Sequence, residues 1–408
     1  MIGDDVSTAA RGCRPGAAGR ALVLSAAVLA SAGWGLACRH GAPAPSAVAR
    51  PIVPAVLADV KNEALAEFAT ALRALERGTA GHAEARSHLL RATELEPRFF
   101  EAWHDLGWLD ASRGNFVRAA TELRTALDIQ PASRPTALAL GESMRRAGQL
   151  EKAARFYGER LAAAPGDPEL RNCYIQALRD AGELPEALAQ TRLALGQAGG
   201  DVAQTVRAYN SLGLIYYKMQ KYELAEAALR KASTLDGRSA FVWNNLGLVA
   251  FARGRDQEAF LLFQKATELD PKYVEARLNK AVVYLDCGDY GRAHAELQRA
   301  IDASATDAAA DADVYVALGV ASRGQGRFDE ARRAYAKALE LEPEHAAALF
   351  DSGILSMDYD KDPARARASF QAFTELAEGG DPRRQEALDR LKELASAQKT
   401  LHARSDQP

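Results

Sequence analysis

The sequence predicts an all-α fold built from repeated helix–turn–helix units, and three observations support this. A pattern of apolar, small and turn-forming residues recurs every 34 residues, and a fixed period of this length is typical of stacked helical arrays. Apolar residues within each unit follow the helical spacing i, i+3, i+4 and i+7 rather than the alternation of a strand. Glycine and proline recur inside every period, which excludes a long uninterrupted coiled coil.

One unit, residues 100–131, shows the pattern in full. Its marker residues are Trp103, Leu106, Gly107, Gly114, Phe116, Ala119, Leu123, Ala126 and Pro131. The same markers recur as Trp243, Leu246, Gly247, Gly254, Ala259, Phe263, Ala266 and Pro271. A third clear copy has Tyr315, Leu318, Gly319, Gly326, Phe328, Ala331, Tyr335, Ala338 and Pro343. Weaker copies fill the intervals between them.

The residue type at each marker position has a physical reason. Apolar residues give the first and second helices one buried stripe each. The small residue at position 8 of the unit, and those at positions 20 and 27, let the paired helices approach closely. Glycine at position 15 ends the first helix and forms the turn, and proline at position 32 ends the second helix. Because one such unit cannot bury its own apolar face, neighbouring units must stack.

The pattern resembles the tetratricopeptide repeat (TPR), a helix–turn–helix unit of the same length. The resemblance covers about nine units, roughly three quarters of the chain. It implies a right-handed α–α superhelix, or solenoid, ending in a charged capping helix. The predicted segments are repeats one to four at 60–199, repeats five to seven at 200–307, repeats eight and nine at 308–380, the capping helix at 381–400 and a disordered tail at 401–408.

Two insertions of four residues interrupt the period, around 196–205 and 303–313. Both segments are rich in small residues, so they are predicted to be longer surface loops. Two interpretations remain open for them. They are either hinges between blocks of repeats or insertions that the array simply tolerates.

The first 59 residues are a different kind of sequence. Arg11, Arg14 and Arg20 precede an uncharged run over 21–37, which is typical of a secretory signal peptide at 1–37. The run ends in GLAC, which resembles the lipobox of bacterial lipoproteins and implies that Cys38 becomes lipidated. An uncleaved membrane anchor and a plain secreted protein are the alternatives. Residues 38–59 are rich in Pro and Ala and are predicted to form a tether.

The lipoprotein resemblance also carries an expectation about location. In the sorting rule of that family, aspartate after the cysteine retains the protein at the inner membrane, and this chain has Arg39 there. The resemblance therefore implies an outer-membrane protein that faces the periplasm and is anchored to the membrane through its N-terminal lipid.

The sequence contains no motif for catalysis or for a bound cofactor. Its seven histidines include no pair with metal-ligand spacing, and His104 beside Asp105 is predicted to be a solvated groove edge. A net charge of −3 with interspersed signs argues against nucleic acid as a partner. We therefore predict no enzyme, cofactor, metal or small-molecule substrate.

The TPR resemblance implies that the first helices of the units line a concave, peptide-binding groove. In the middle of the array these positions are Asn210, Leu214, Tyr217, Asn244, Asn245, Leu248, Phe251, Asn279 and Val282. These asparagines resemble the ladder of asparagine side chains in the TPR superhelix of O-GlcNAc transferase. A carboxamide at such a position can both donate a hydrogen bond to and accept one from the backbone of an extended peptide. The alternative is that asparagine is a tolerated polar helix residue. Arg145, Arg146 and Arg179 form a basic segment that either meets an acidic partner or is solvated.

These expectations together favour a protein-interaction scaffold without enzymatic activity. The resemblance implies an envelope machine of the gliding-motility or type IV pilus kind, whose other envelope proteins dock in the groove. The alternative is a periplasmic chaperone, assembly factor or adaptor for cell-wall hydrolases that binds extended peptide segments.

Overall fold

A computed structural model describes residues 60–304, 312–377 and 381–405. The predicted signal peptide, Cys38 and the tether lie outside the described residues. Within them the chain forms nineteen α-helices and no strand. The prediction of an all-α fold is therefore confirmed. The chain divides into two compact units at Val249 and Ala250, and each is described by itself.

The helices of the N-terminal unit come in consecutive pairs joined by short turns. They are α1 (Asn62–Leu75), α2 (His82–Leu95), α3 (Phe100–Ser112), α4 (Phe116–Ile129), α5 (Arg134–Arg146), α6 (Leu150–Ala163), α7 (Pro168–Asp180), α8 (Leu184–Gln197), α9 (Val202–Lys218), α10 (Tyr222–Leu235) and most of α11 (Ala240–Ala252).

The C-terminal unit continues the same alternation after the end of α11. Its helices are α12 (Asp256–Leu269), α13 (Val274–Asp286), α14 (Tyr290–Ser304), α15 (Ala312–Gly324), α16 (Phe328–Leu341), α17 (Ala346–Asp358), α18 (Pro363–Leu376) and the long terminal helix α19 (Pro382–Ser405). Helix α19 therefore runs beyond residue 400, where the sequence predicts that the cap ends.

A glycine on the first helix of a pair marks where the second helix packs closest. A Cβ atom on Gly107 would lie 2.6 Å from Cγ of Leu123, and one on Gly141 would lie 2.2 Å from Cζ of Tyr157. Both distances are shorter than a carbon–carbon contact allows. The small residue at position 8 thus leaves room for an aromatic or leucine side chain of the second helix to fill the space between the two helices of a pair.

The turn inside each pair needs a left-handed backbone at one residue. Gly114 supplies it with φ of 80°, a conformation that glycine adopts without a Cβ clash. In the turn between α9 and α10 the same conformation falls on Gln220, with φ of 58°. In the turn between α17 and α18 it falls on Lys361, with φ of 56°.

Neighbouring pairs are held together at the point where the chain passes from one to the next. Trp103 donates a hydrogen bond from Nε1 to the carbonyl oxygen of Pro97 at 3.0 Å, and Trp243 donates likewise to Gly237 at 2.8 Å. In the C-terminal unit Arg277 donates from Nε to the carbonyl oxygen of Pro271 at 2.9 Å. The same offset of six residues in all three repeats indicates that the residue at position 4 of a repeat closes the connection before it.

The insertion around 196–205 does not form the longer loop that the sequence predicts. Helix α9 starts at Val202 and has 17 residues, whereas the equivalent helix α7 has 13. The backbone N–H of Gln204 donates to Oδ1 of Asp201 at 3.0 Å and so caps the start of α9. The extra residues have become an additional helical turn, because an N-cap aspartate precedes a run of helix-forming residues.

Candidate functional site

The predicted groove residues lie on three first helices and are divided between the two units. Asn210, Leu214 and Tyr217 are on α9, and Asn244, Asn245 and Leu248 are on α11, all within the N-terminal unit. Phe251, in the last turn of α11, and Asn279 and Val282, on α13, belong to the C-terminal unit.

Three asparagine side chains of the N-terminal unit form a hydrogen-bonded chain. Asn245 donates from Nδ2 to Oδ1 of Asn210 at 2.7 Å, and Asn244 donates from Nδ2 to Oδ1 of Asn245 at 3.4 Å. Positions 5 and 6 of adjacent first helices thus face each other across 35 residues of sequence. The hydrogen-bonded chain thus contains Asn210, Asn244 and Asn245, whereas Asn279 belongs to the C-terminal unit.

The environment of these amides differs from the prediction. Their exposed fractions are 5% for Asn210, 0% for Asn244 and 1% for Asn245, so all three amides are buried, whereas a groove lining for a peptide would leave them accessible. A buried amide is costly unless it is hydrogen-bonded, and the chain of asparagines provides those bonds. Asn245 is therefore a packing residue of the array, and we expect its replacement to lower stability.

Apolar and aromatic side chains surround the asparagines on the same helices. Leu214 and Leu248 are buried, and Tyr217 is half-buried with its ring edge-on to Tyr222 at 5.8 Å between centroids. Burial raises the pKa of Tyr217 to about 12. At neutral pH Tyr217 is therefore an uncharged phenol, which combines an apolar ring with a hydrogen-bonding hydroxyl.

In the C-terminal unit the three predicted residues differ in accessibility. Val282 is buried, with 4% of its surface exposed, whereas Phe251 and Asn279 are half-buried. Of these three, Phe251 and Asn279 are the ones that another molecule can reach without displacing the helix core.

A charged network on α5, α7 and α9 was only partly predicted. Arg145 lies 2.6 Å from Oδ2 of Asp180 through Nη1 and 2.8 Å from Oε1 of Glu142 through Nη2. Burial alone would raise the pKa of Asp180, but Arg179 and Arg145 beside it hold the pKa below its usual value. Arg145 and Arg179 of the basic segment are thus tied to carboxylates, whereas Arg146 lies over the ring of Phe116, 4.1 Å from its centroid. The Arg–Asp spacing of 35 residues was the available signal.

His104 also lies differently from the prediction. It is fully buried, with Nδ1 at 2.9 Å from Oγ1 of Thr136 on α5. Burial lowers the pKa of His104 to about 4, so the ring is neutral in ordinary conditions. The expectation of a solvated groove edge is wrong, because the next repeat covers this position.

In the described part of the chain, no group of three or more His, Cys, Asp or Glu side chains is placed to hold a metal ion. Across the same residues, every helix is too short or too polar to cross a bilayer.

Comparison with protein families decides the nature of the repeat. Three models described as tetratricopeptide repeat match residues 210–274, 250–312 and 312–345. Residues 210–345 carry tetratricopeptide repeats. Those models cover the same helix pairs that the periodicity predicts in the middle and late part of the TPR array.

Individual relatives are distant and match only part of their own length. The human protein O-mannosyl-transferase TMTC3 is 26% identical over 279 residues, which cover 65% of this chain and 30% of the relative. The peroxisomal targeting signal receptor of Kluyveromyces lactis is 21% identical over 214 residues, 52% of this chain and 37% of the relative. The chain thus spans about a third of the length of these curated relatives.

Solved structures support the fold. The crystal structure of the APC/C hetero-tetramer Cut9-Hcn1 matches with a TM-score of 0.53 and 17% sequence identity, covering 80% of this chain and 63% of that chain. At this identity the likeness concerns the TPR fold alone.

Proposed function

We propose that this TPR array is a non-enzymatic scaffold that docks other proteins through segments bound on its first helices. The observation that carries the proposal is the placement of half-buried aromatic side chains, Tyr217 and Phe251, on first helices of the repeats. An aromatic side chain that keeps part of its surface exposed can anchor a partner at low entropic cost. The Kluyveromyces lactis relative is a peroxisomal targeting signal receptor, which is compatible with recognition of a peptide segment.

The proposal includes a place for the scaffold in the cell. We propose that Cys38 is the lipidated first residue of the mature protein and that the array faces the periplasm from the outer membrane. The Pro-rich segment 38–59 would hold the array away from the bilayer, at up to ~60 Å for ~3.1 Å per residue. The machine is proposed to be an envelope complex of the gliding-motility or type IV pilus kind, on the basis of the sequence resemblance.

The lipid is tested by labelling cells with a fatty acid analogue. The wild-type chain should be labelled, and Cys38→Ser should be unlabelled and either unprocessed or released, since cleavage and acylation both require the thiol. Equal labelling of the two proteins would contradict the lipoprotein assignment, whatever the outcome of the binding experiments.

The scaffold role is tested by crosslinking in cells followed by purification of the full chain. Fixed partners recovered in constant proportion would support the scaffold. Many weakly held, unrelated extended segments would instead favour the chaperone or hydrolase-adaptor alternative. Absence of any crosslinked protein would contradict both.

A further inference from the structure

Arg171 and Arg277 both occupy position 4 of a repeat, but the groups beside their charges differ. Arg277 donates from Nε to the carbonyl oxygen six residues earlier at 2.9 Å, and its Nη1 lies 3.0 Å from Oε2 of Glu296. Arg171 makes the equivalent backbone bond, from Nη2 at 2.6 Å. The place of Glu296, nineteen residues after the arginine, is taken in the earlier repeat by Gln190. A neutral amide thus replaces the carboxylate.

The guanidinium of Arg171 is buried among neutral acceptors. The residue is 5% exposed, and Nε donates to Oε1 of Gln197 at 3.0 Å while Nη1 donates to Oε1 of Gln190. With the backbone bond to Pro165, every hydrogen-bond acceptor of this side chain in the described part of the chain is uncharged. A buried charge is costly unless an opposite charge compensates it, and an arginine has five N–H donors. Arg171 therefore retains both charge and donor capacity for an anion.

A small cavity adjoins Arg171 between helices α7, α8 and α9 of the N-terminal unit. The polar side chains that line it are Arg171, Asn172, Gln197, Gln204 and Arg207. Two of these are cations, three are amides, and none is a carboxylate. Gln204 lies in the additional turn of α9, so the insertion supplies part of the wall. The volume is about 30 Å³, which is room for one or two water-sized groups, since one water needs ~10–15 Å³.

The carboxylates near the cavity are hydrogen-bonded to other groups. Asp167 and Glu169 bind an arginine of the preceding repeat, each at 2.6 Å. Glu186 accepts from an amide on its own helix at 2.8 Å, and Asp201 accepts from the backbone N–H and Nε2 of Gln204 at 3.0 Å and 2.8 Å. None of the four carboxylates lines the cavity, so an anion that pairs with the buried guanidinium has to enter from solvent.

We infer that this cavity binds one small monovalent anion, such as chloride or formate. Arg171 supplies the compensating charge, and the exposed Arg207 attracts anions to the cavity. The small volume and the burial of Arg171 favour a free ion over a side chain of a partner protein. A bound anion joins α7 to α8 and α9 where repeat four meets repeat five, a role separate from the partner binding of the proposed function.

The test uses chloride nuclear magnetic resonance on sodium chloride solutions of the purified full chain. Chloride that exchanges with a protein site relaxes faster, so the wild type should broaden the signal, and added formate should narrow it by competition. Gln190→Glu puts a carboxylate beside Arg171, as Glu296 stands beside Arg277, and should reduce the excess linewidth severalfold. Arg192→Gln, which removes an exposed cation on α8 outside the lining, is the matched control and should broaden the signal like the wild type.

Stability gives a second readout, because an anion bound to the folded state stabilises it by mass action. Gln190→Glu should have the higher urea midpoint at low chloride, and its difference from the wild type should shrink as chloride is raised. If Gln190→Glu fails to fold by circular dichroism, Arg207→Gln serves instead and should lower the chloride broadening severalfold.

Three outcomes would overturn the inference. Equal linewidths in the wild type and the cavity variant, or equal losses in the cavity variant and Arg192→Gln, would show adventitious surface binding only. Broadening that formate does not reverse would exclude a shared site for the two anions. A midpoint difference that stays constant as chloride is raised would show that no chloride binds beside Arg171.

Discussion

The side-chain amide of Asn245 donates a hydrogen bond at 2.7 Å to the side-chain oxygen of Asn210, one repeat earlier, and both residues are buried. This bond joins two neighbouring TPR units through their first helices. Asn210 and Asn245, which the sequence predicts as ligand-contact residues, therefore contribute to the packing between repeats.

The first prediction follows from this bond. Asn245→Ala should destabilise the chain by about 1–3 kcal/mol, because Oδ1 of Asn210 would be left buried without this donor. The midpoint of a denaturant melt measures the loss. The variant Asn210→Ala/Asn245→Ala should lose less than the sum of the two single variants, since the shared bond is then counted once. Unchanged midpoints in all three variants would show that the bond contributes nothing.

The second prediction concerns the closeness of paired helices. Gly141→Ala should cost about 1–3 kcal/mol, because the new Cβ would lie 2.2 Å from the ring of Tyr157. That ring cannot move freely, since the Tyr157 hydroxyl donates to the carbonyl oxygen of Leu138 at 2.9 Å. We expect the same sign for leucine at Gly247 or Ala259, which occupy the small positions 8 and 20 of a later repeat.

A matched glycine provides the control for this packing argument. A Cβ on Gly196, in the last turn of α8, would meet no atom within 4 Å, so Gly196→Ala should leave the midpoint unchanged or raise it slightly. If Gly141→Ala and Gly196→Ala had equal effects, close packing at position 8 would not be the reason for the glycine.

The sequence was sufficient for features that depend on one repeat alone. The turn glycine Gly114 and the close contact of Gly107 with Leu123 both follow from residue type and spacing within a unit. The burial of His104 and Asn245 depends instead on how far the neighbouring repeat covers the first helix on which each residue lies. That coverage is set by the packing angle between units, which the positions of apolar residues do not encode.

The extra helical turn of α9 illustrates the same limit. An insertion of small residues is compatible with either a loop or a longer helix, and the choice depends on the cap at Asp201 and on space beside α7 and α8. The predicted groove residues are similarly placed on the expected helices, but their role in binding remains a prediction.

The third prediction is a pH dependence centred on Glu122. Burial, with the Asp110 charge next, raises its pKa from an ordinary 4.5 to about 8 in the folded chain, so the folded state keeps a proton that the unfolded state releases. The contribution of Glu122 to stability should therefore fall as the pH rises from about 4.5 to about 8. Below about 6.5 the buried His104, whose pKa is lowered to about 4, acts in the opposite direction, so the net fall from this pair of groups is expected between about 6.5 and 8. The slope from Glu122 can reach about 1.4 kcal/mol per pH unit.

The variant Glu122→Gln should flatten that part of the stability profile, because the amide cannot titrate. Glu151→Gln, at an exposed position of α6, should leave the slope as it is in the wild type. Melting midpoints measured across this pH range check both. A profile for Glu122→Gln that retains the full slope would assign the pH dependence to another group.

The last prediction tests the first-helix surface with a partner recovered by crosslinking. Tyr217→Ala and Phe251→Ala should each weaken that partner about tenfold or more, as truncation of an aromatic anchor usually does. Tyr217→Phe separates the two contributions of the tyrosine, because it keeps the ring and removes only the hydroxyl. Lys265→Ala, at an exposed position on the second helix α12, is the control and should bind normally.

Denaturant midpoints must be measured alongside, because Tyr217 packs on Tyr222. A variant that loses affinity in step with stability would show only that the array has loosened. Loss of affinity at an unchanged midpoint in Phe251→Ala would locate the contact on α11, and normal affinity in both alanine variants would exclude this surface as the partner site.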